Sequence, residues 1–268
     1  MKIFMSRLTL FIACCLASGA FSSADAAQFP DKHALFEKVA WNSSSGGVLL
    51  YRMYSPELKP GEKYPLIIFL HGAGERGSNN ETQFIQDHFL NLVFGEKGQP
   101  AFVIVPQCPV EKRWCEVDWS IRTTHETPET PSDPLRMVYE LLQELKKNAA
   151  IDADRIYITG LSMGGFGTFD FLVRYPEEVA AAVPVCGGGD NEKLRTMPEL
   201  KSIPVWIFHG DADGAVAPDR SRGAFKALKE NGVDVTYTEY PNVGHNSWVR
   251  AYNTDELVDW LFKQRKVR

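Results

Sequence analysis

The 268-residue sequence predicts an α/β fold, a mostly parallel central sheet with helices on both faces. Three observations carry this. Apolar runs such as Pro65-Leu66-Ile67-Ile68-Phe69-Leu70 and Ala101 to Val105 read as strands covered on both faces. Stretches of helical period lie between such runs, the clearest being Leu135, Val138, Leu141, Leu142 and Leu145. Strand and helix then alternate to the end of the chain without internal repeat or low-complexity tract, as in one α/β domain.

Taken in order, the first residues read as an export leader. Lys2 and Arg7 precede an apolar stretch from Leu8 to Leu16, and Ala24-Asp25-Ala26 offers a cleavage site. Residues 1–26 are therefore expected to be a signal peptide, which places the remainder in the periplasm or outside the cell. The apolar stretch is too short to span a bilayer. Phe11-Ile12-Ala13-Cys14 matches a lipoprotein box only loosely, so lipidation at Cys14 has weak support.

Val48 to Tyr54 reads as an opening strand and Pro56 to Glu62 as a turn. A helix is expected from Gln83 to Phe94, and Pro106 stops the strand at 101–105. Residues 107–133 break the rhythm with Pro109, Pro128, Pro131, Trp114 and Trp119, and a loop this long in a compact domain is commonly functional. Asp133-Pro134 reads as the cap and first turn of a helix reaching Asn148. Further strands are expected at 155–160, 181–186, 203–209 and 233–240. Helices are expected at 166–175, 218–231 and 246–263, with Gly232 a stop signal and Asp219 a cap.

The formal net charge is −5, without clustered Lys and Arg, which argues against a nucleic-acid surface. Cys108, Cys115 and Cys186 follow the leader. The first two share the irregular loop and could be bridged or free; Cys186 reads as a small buried hydrophobe. No two-plus-two Cys/His spacing suggests zinc.

In an open parallel sheet, sites form at the carboxyl ends of the strands. Four such ends carry polar residues here. Gly160-Leu161-Ser162-Met163-Gly164 matches G-x-S-x-G, a strained strand-to-helix turn that exposes a serine hydroxyl. His71-Gly72-Ala73 follows the 65–70 strand, His209-Gly210-Asp211-Ala212-Asp213 the 203–209 strand, and Gly244-His245-Asn246 the 233–240 strand. A serine hydroxyl needs a base, and imidazole is the side chain suited to shuttle protons near neutrality. His245, in a turn before a helix, is the candidate. His33 and His88 fit less well, His125 could reach a substrate from the long loop, and His71 and His209 read as loop-holding residues. Asp213, Asp211 and Asp219 compete as the orienting acid.

The motifs HGAGERG (71–77), PQCP (106–109), GLSMGG (160–165), HGDADGAVAP (209–218) and YTEYPNVGHNSW (237–248) span most of the chain beyond the leader. Together they resemble the α/β-hydrolase superfamily. They resemble in particular secreted esterases and predicted peptidases with a prolyl-oligopeptidase-like catalytic domain, relatives of feruloyl and acetylxylan esterases. The resemblance implies that residues 27–268 form a single α/β-hydrolase catalytic domain. It implies Ser162 as nucleophile, His245 as base and Asp213 as acid, in the order Ser…Asp…His. Ala217 stands between Val216 and Pro218 where the family often has proline at once, which leaves Asp213 in register. The oxyanion would meet the N–H of Met163 and, by resemblance, that of Ala73, with Gly74 a possible substitute. Trp114 and Trp119 are candidates to stack on substrate, or else pack the loop onto the body. Glu75 and Arg76 could bind a substrate carboxylate or pair with each other.

The expected activity is hydrolysis of short acyl or aryl esters, some of them carbohydrate-linked, through an acyl-enzyme and with no metal or organic cofactor. The alternatives are a serine peptidase with the same triad and a catalytically silent carbohydrate-binding protein. A dienelactone-type hydrolase is disfavoured because that group is associated with cysteine at the elbow.

Overall fold

The computed structural model describes residues 32–266; the expected leader and Cys14 lie outside them. The chain divides into two compact units, Met1–Ala34 and Leu35–Arg268, and only residues 32–34 of the first are described. Among the described residues no helix is long and apolar enough to cross a membrane.

The second unit is built on an eight-stranded sheet of order β1-β2-β4-β3-β5-β6-β7-β8. Its strands are β1 (Glu37–Asn42), β2 (Val48–Tyr54), β3 (Tyr64–Leu70), β4 (Phe102–Gln107), β5 (Ile151–Leu161), β6 (Ala181–Val185), β7 (Val205–Gly210) and β8 (Val235–Tyr240). β1–β2 and β2–β4 are antiparallel; all other pairs are parallel. The helices are α1 (Asn91–Phe94), α2 (Asp133–Leu145), α3 (Met163–Arg174), α4 (Asn191–Thr196), α5 (Asp219–Asn231), α6 (Trp248–Ala251) and α7 (Leu257–Phe262).

The period-two alternation of each central strand explains the layers. Leu66, Ile68, Leu70, Ile156, Ile158 and Ile207 enter one core with α2, α3 and α5. Ile67, Phe69, Tyr157, Val183 and Phe208 enter the other with α6 and α7. Covering both faces in this way is what makes the runs read as continuous rather than alternating.

Four local expectations change. The span Gln83 to Phe94 is not one helix but 3-10 turns at Thr82–Phe84 and His88–Leu90 leading into α1. Its large side chains must reach the core at Phe84, Phe89, Leu90 and Leu92, and Phe89 stacks on Phe69 with centroids 3.7 Å apart. The final helix is two, α6 and α7, broken at the polar stretch Asn253-Thr254-Asp255, where Leu257 N–H bonds to Thr254 O at 3.1 Å. The cap of α2 is Ser132, which accepts from Leu135 N–H, and Asp133 lies within the first turn. Asp219 likewise opens α5 without capping it and accepts instead from Arg222.

Candidate active site

β5 runs straight into Ser162, and α3 starts at the next residue. Ser162 has φ 53° and ψ −118°, a left-handed conformation that a non-glycine residue adopts only when its surroundings impose it. The imposition is visible in the neighbours. A Cβ at Gly160 would lie 2.6 Å from both Leu70 O and Gly164 O, and one at Gly164 would lie 1.8 Å from Leu70 O. Only glycine lets α3 cross this close to β3. Ser162 N–H is tied to Val185 O at 3.0 Å.

His245 comes from the turn after β8 and Asp213 from the turn after β7. His245 Nε2 is 2.8 Å from Ser162 Oγ, and His245 Nδ1 is 2.7 Å from Asp213 Oδ2. A carboxylate can only accept, so Nδ1 carries the ring proton and Nε2 presents its lone pair to the serine hydroxyl. The Asp213 side chain is fully buried while that of His245 is 28% exposed. Burial alone would raise the Asp213 carboxyl. Hydrogen bonds from His209, His245 and Val216 N–H outweigh it and hold the group well below the usual carboxylate range. Trp248 packs against the His245 ring at 90° with centroids 5.4 Å apart, and its own Nε1 donates to Gln86 Oε1.

The rival acids stand elsewhere. Asp211 accepts from Asn242 N–H at 2.6 Å, and Asp219 is engaged on the surface with Arg222. The residue after Val216 leaves Asp213 in register, since its Oδ1 accepts from Ala215 and Val216 N–H at 2.8 and 2.9 Å.

The loop after β3 forms the opposite wall. His71 Nδ1 donates to Gly72 O at 2.6 Å, and its Nε2 accepts from Cys108 N–H at 2.9 Å. Full burial drives its basicity down to about 4, so it is the neutral tautomer that staples the two loops. Ala73 opens a 3-10 turn, Ala73–Glu75, behind Gly72, and Met163 opens α3. First-turn N–H groups lack acceptors within their own helix. Glu75 and Arg76 do not pin each other. Arg76 donates to Ala73 O and Lys112 O, while Glu75 is buried and its carboxyl is raised by that burial.

Trp114 is not placed to stack on a substrate. It is fully buried, donates from Nε1 to His71 O at 2.9 Å and covers Gly167 of α3. The apolar bulk that suggested a stacking platform is spent holding the long loop onto the body. Trp119 is half-buried, lies under the Arg113 guanidinium at 4.4 Å, and its Nε1 is buried without a partner. Cys108 and Cys115 are both free and buried. Burial pushes the Cys108 thiol up to about 12. His125 is likewise no substrate ligand in this arrangement, because its Nδ1 accepts from Arg220 at 2.6 Å. Burial, with the Arg220 charge, takes its basicity down to about 4.

Two neighbours of the site were not singled out for it from the sequence. Cys186 has φ 40° and sits fully buried at the end of β6. Its sulfur and donor atoms of Asp213 and His245 lie within 4.8 Å of one another, the one such group that could hold a metal among the described residues. Asp213 and His245 are already committed to hydrogen bonds, and burial holds the thiol protonated. His209 is the other: its Nε2 is 3.1 Å from Asp213 Oδ2.

The family model described as "Dienelactone hydrolase family" matches residues 121–256, and the one described as "Putative esterase" matches residues 46–187. The chain belongs to these two α/β-hydrolase families. Serine at the elbow therefore does not set this α/β-hydrolase apart from the dienelactone group, as its sequence had suggested. It is 27% identical over 217 residues to Carboxylesterase SOBER1 of Arabidopsis thaliana, covering 75% of this chain and 90% of that one. It is 26% identical over 196 residues to Bifunctional acetylxylan esterase/xylanase XynS20E of Neocallimastix patriciarum, covering 71% of this chain and 26% of that one. A solved thermostable esterase superposes with a TM-score of 0.78 at 36% identity, covering 87% of this chain and 64% of that one. The chain is a serine hydrolase of the esterase type.

Proposed function

We propose that this esterase works through Ser162, His245 and Asp213. The observation that carries the reading is the unbroken hydrogen-bond chain from Ser162 Oγ through both ring nitrogens of His245 to Asp213 Oδ2, at 2.8 and 2.7 Å. Ser162 Oγ attacks the ester carbonyl as His245 Nε2 takes its proton. Asp213 keeps the ring in the tautomer that can do so and balances the imidazolium. The N–H groups of Met163 and Ala73 stabilise the oxyanion. His245 then protonates the leaving alcohol, and water repeats the sequence on the acyl-enzyme.

The preferred substrates are short acyl or aryl esters, including carbohydrate-linked ones. The acetylxylan esterase among the relatives supports the last class. Export behind a cleaved leader belongs to the same proposal, and N-terminal sequencing of secreted protein checks it: an intact Met1 refutes it. For the catalytic reading the decisive variant is Ser162→Ala. Hydrolysis of p-nitrophenyl acetate should fall at least about 10⁴-fold with the melting temperature held. Retained activity refutes the assignment. Faster turnover of aminoacyl-arylamides than of matched esters would make the chain a peptidase.

A further inference from the structure

Asp213 is held from two sides. His245 reaches Oδ2 from the solvent side, and His209, the residue before the Gly210 that ends β7, reaches the same oxygen from the interior at 3.1 Å. His209 is completely buried. Its Nε2 faces acceptors only, Asp213 Oδ2 and Val216 O, each at 3.1 Å, so that nitrogen carries a proton. Its Nδ1 is 2.7 Å from Ser221 Oγ on α5, and Ser221 Oγ is 3.0 Å from Gly187 O. The chain of contacts thus runs from the loop after β6 through α5 and the end of β7 to the acid. Glu239, opposite His209 in the β7–β8 register, is paired with Arg222 on the surface and leaves Asp213 as the carboxylate His209 serves.

We propose that His209 is a positioning residue, a second imidazole that fixes the Asp213 carboxylate so that its Oδ2 meets His245 Nδ1. The inference rests on the triad reading above. With Oδ1 bound to Ala215 and Val216 N–H and Oδ2 to His209, the carboxylate plane is fixed on three of its four bonds before His245 binds. The base then finds its acceptor oriented in advance instead of orienting it during turnover. A histidine that merely held the loop would need only Val216 O and Ser221.

Amide replacements separate the two roles. Glutamine can place its amide nitrogen where Nε2 stands, and asparagine only where Nδ1 stands. His209→Gln should keep kcat within about 3-fold, whereas His209→Asn and His209→Leu should lose about 10- to 100-fold, the change expected on losing a hydrogen bond to a charged group. KM should not move. Ser221→Ala, a milder change, should cost about 3- to 10-fold by freeing the ring. Melting temperatures are read alongside. Loss of kcat in proportion to loss of stability, with Gln no better than Asn, overturns the proposal, as does wild-type kcat in a folded Asn or Leu variant. Asp213→Asn separates this from the reading beneath it. If that variant keeps its activity the triad fails and the proposal with it; if it loses activity while His209→Asn does not, only the positioning role fails.

Discussion

Gly164→Ala tests how tightly the turn at Ser162, the proposed nucleophile, is built. The added methyl would sit 1.8 Å from Leu70 O, 2.5 Å from Leu70 C and 2.9 Å from His71 O, all backbone atoms of the strand end that leads into the loop carrying Ala73. Carbon and oxygen need about 3 Å or more, so the start of α3 must retreat from β3 by roughly 1 Å. Overpacking of this kind costs about 1–3 kcal/mol, which for a unit of this size is roughly 2–12 °C in melting temperature. Activity should suffer more than stability. Ser162 lies two residues upstream, and a displacement of ~1 Å at a reacting group costs on the order of 100-fold. Differential scanning calorimetry and p-nitrophenyl acetate kinetics measure the two effects, with Gly214→Ala as control because an added Cβ there meets nothing within 4 Å. A Gly164→Ala protein that melts and turns over like the parent would refute the close-crossing argument.

Trp114→Phe removes the donor to His71 O from a fully buried site and should cost about 1–3 kcal/mol in urea denaturation, with KM for esters unchanged. A raised KM at unchanged stability would restore the stacking role. The pH dependence of stability has a definite sign at Asp213. Its folded value is depressed, so its contribution is complete above the unfolded carboxyl value near 3.8 and disappears as pH falls toward the folded value. Asp213→Asn should therefore narrow the stability difference between pH 5 and pH 2 by on the order of 2 kcal/mol, measured by chemical denaturation; an unchanged slope would contradict the linkage. Arg174→Leu leaves Asp170 buried without its 2.9 Å partner and should cost about 3–5 kcal/mol. It also frees the carbonyls of Pro128, Glu129 and Thr130, so limited proteolysis should cut there sooner than in the parent.

The central strands and the ends that carry Ser162, Asp213 and His245 were legible because backbone sterics leave a mark on sequence. Gly160 and Gly164 are required by a crossing that admits no methyl, and buried strands must be apolar on both faces. β1 was invisible for the opposite reason. As an edge strand with the exposed pattern of Glu37–Asn42, it needs no apolar run. The role of Trp114 was ambiguous because a tryptophan in a long loop has the same composition whether it faces outward or inward. Only the placement of Gly167 and His71 O decided it. His209 had a legible clue, its spacing of four residues from Asp213, but that spacing acquires meaning only once the turn between them is folded.

The 25 or so residues between β4 and α2 cross the molecule without a strand ladder, and the way they are moored has an evolutionary consequence. Arg220 grips Ile121 O, and Arg174 grips the carbonyls of Pro128, Glu129 and Thr130. Every amino acid owns a carbonyl, so these moorings are indifferent to which side chains the loop presents. New residues can be tried at the exposed positions 121–123, 129 and 130 while the body keeps hold of the main chain. The scaffold can therefore change what it meets in solution without first rebuilding what holds it together.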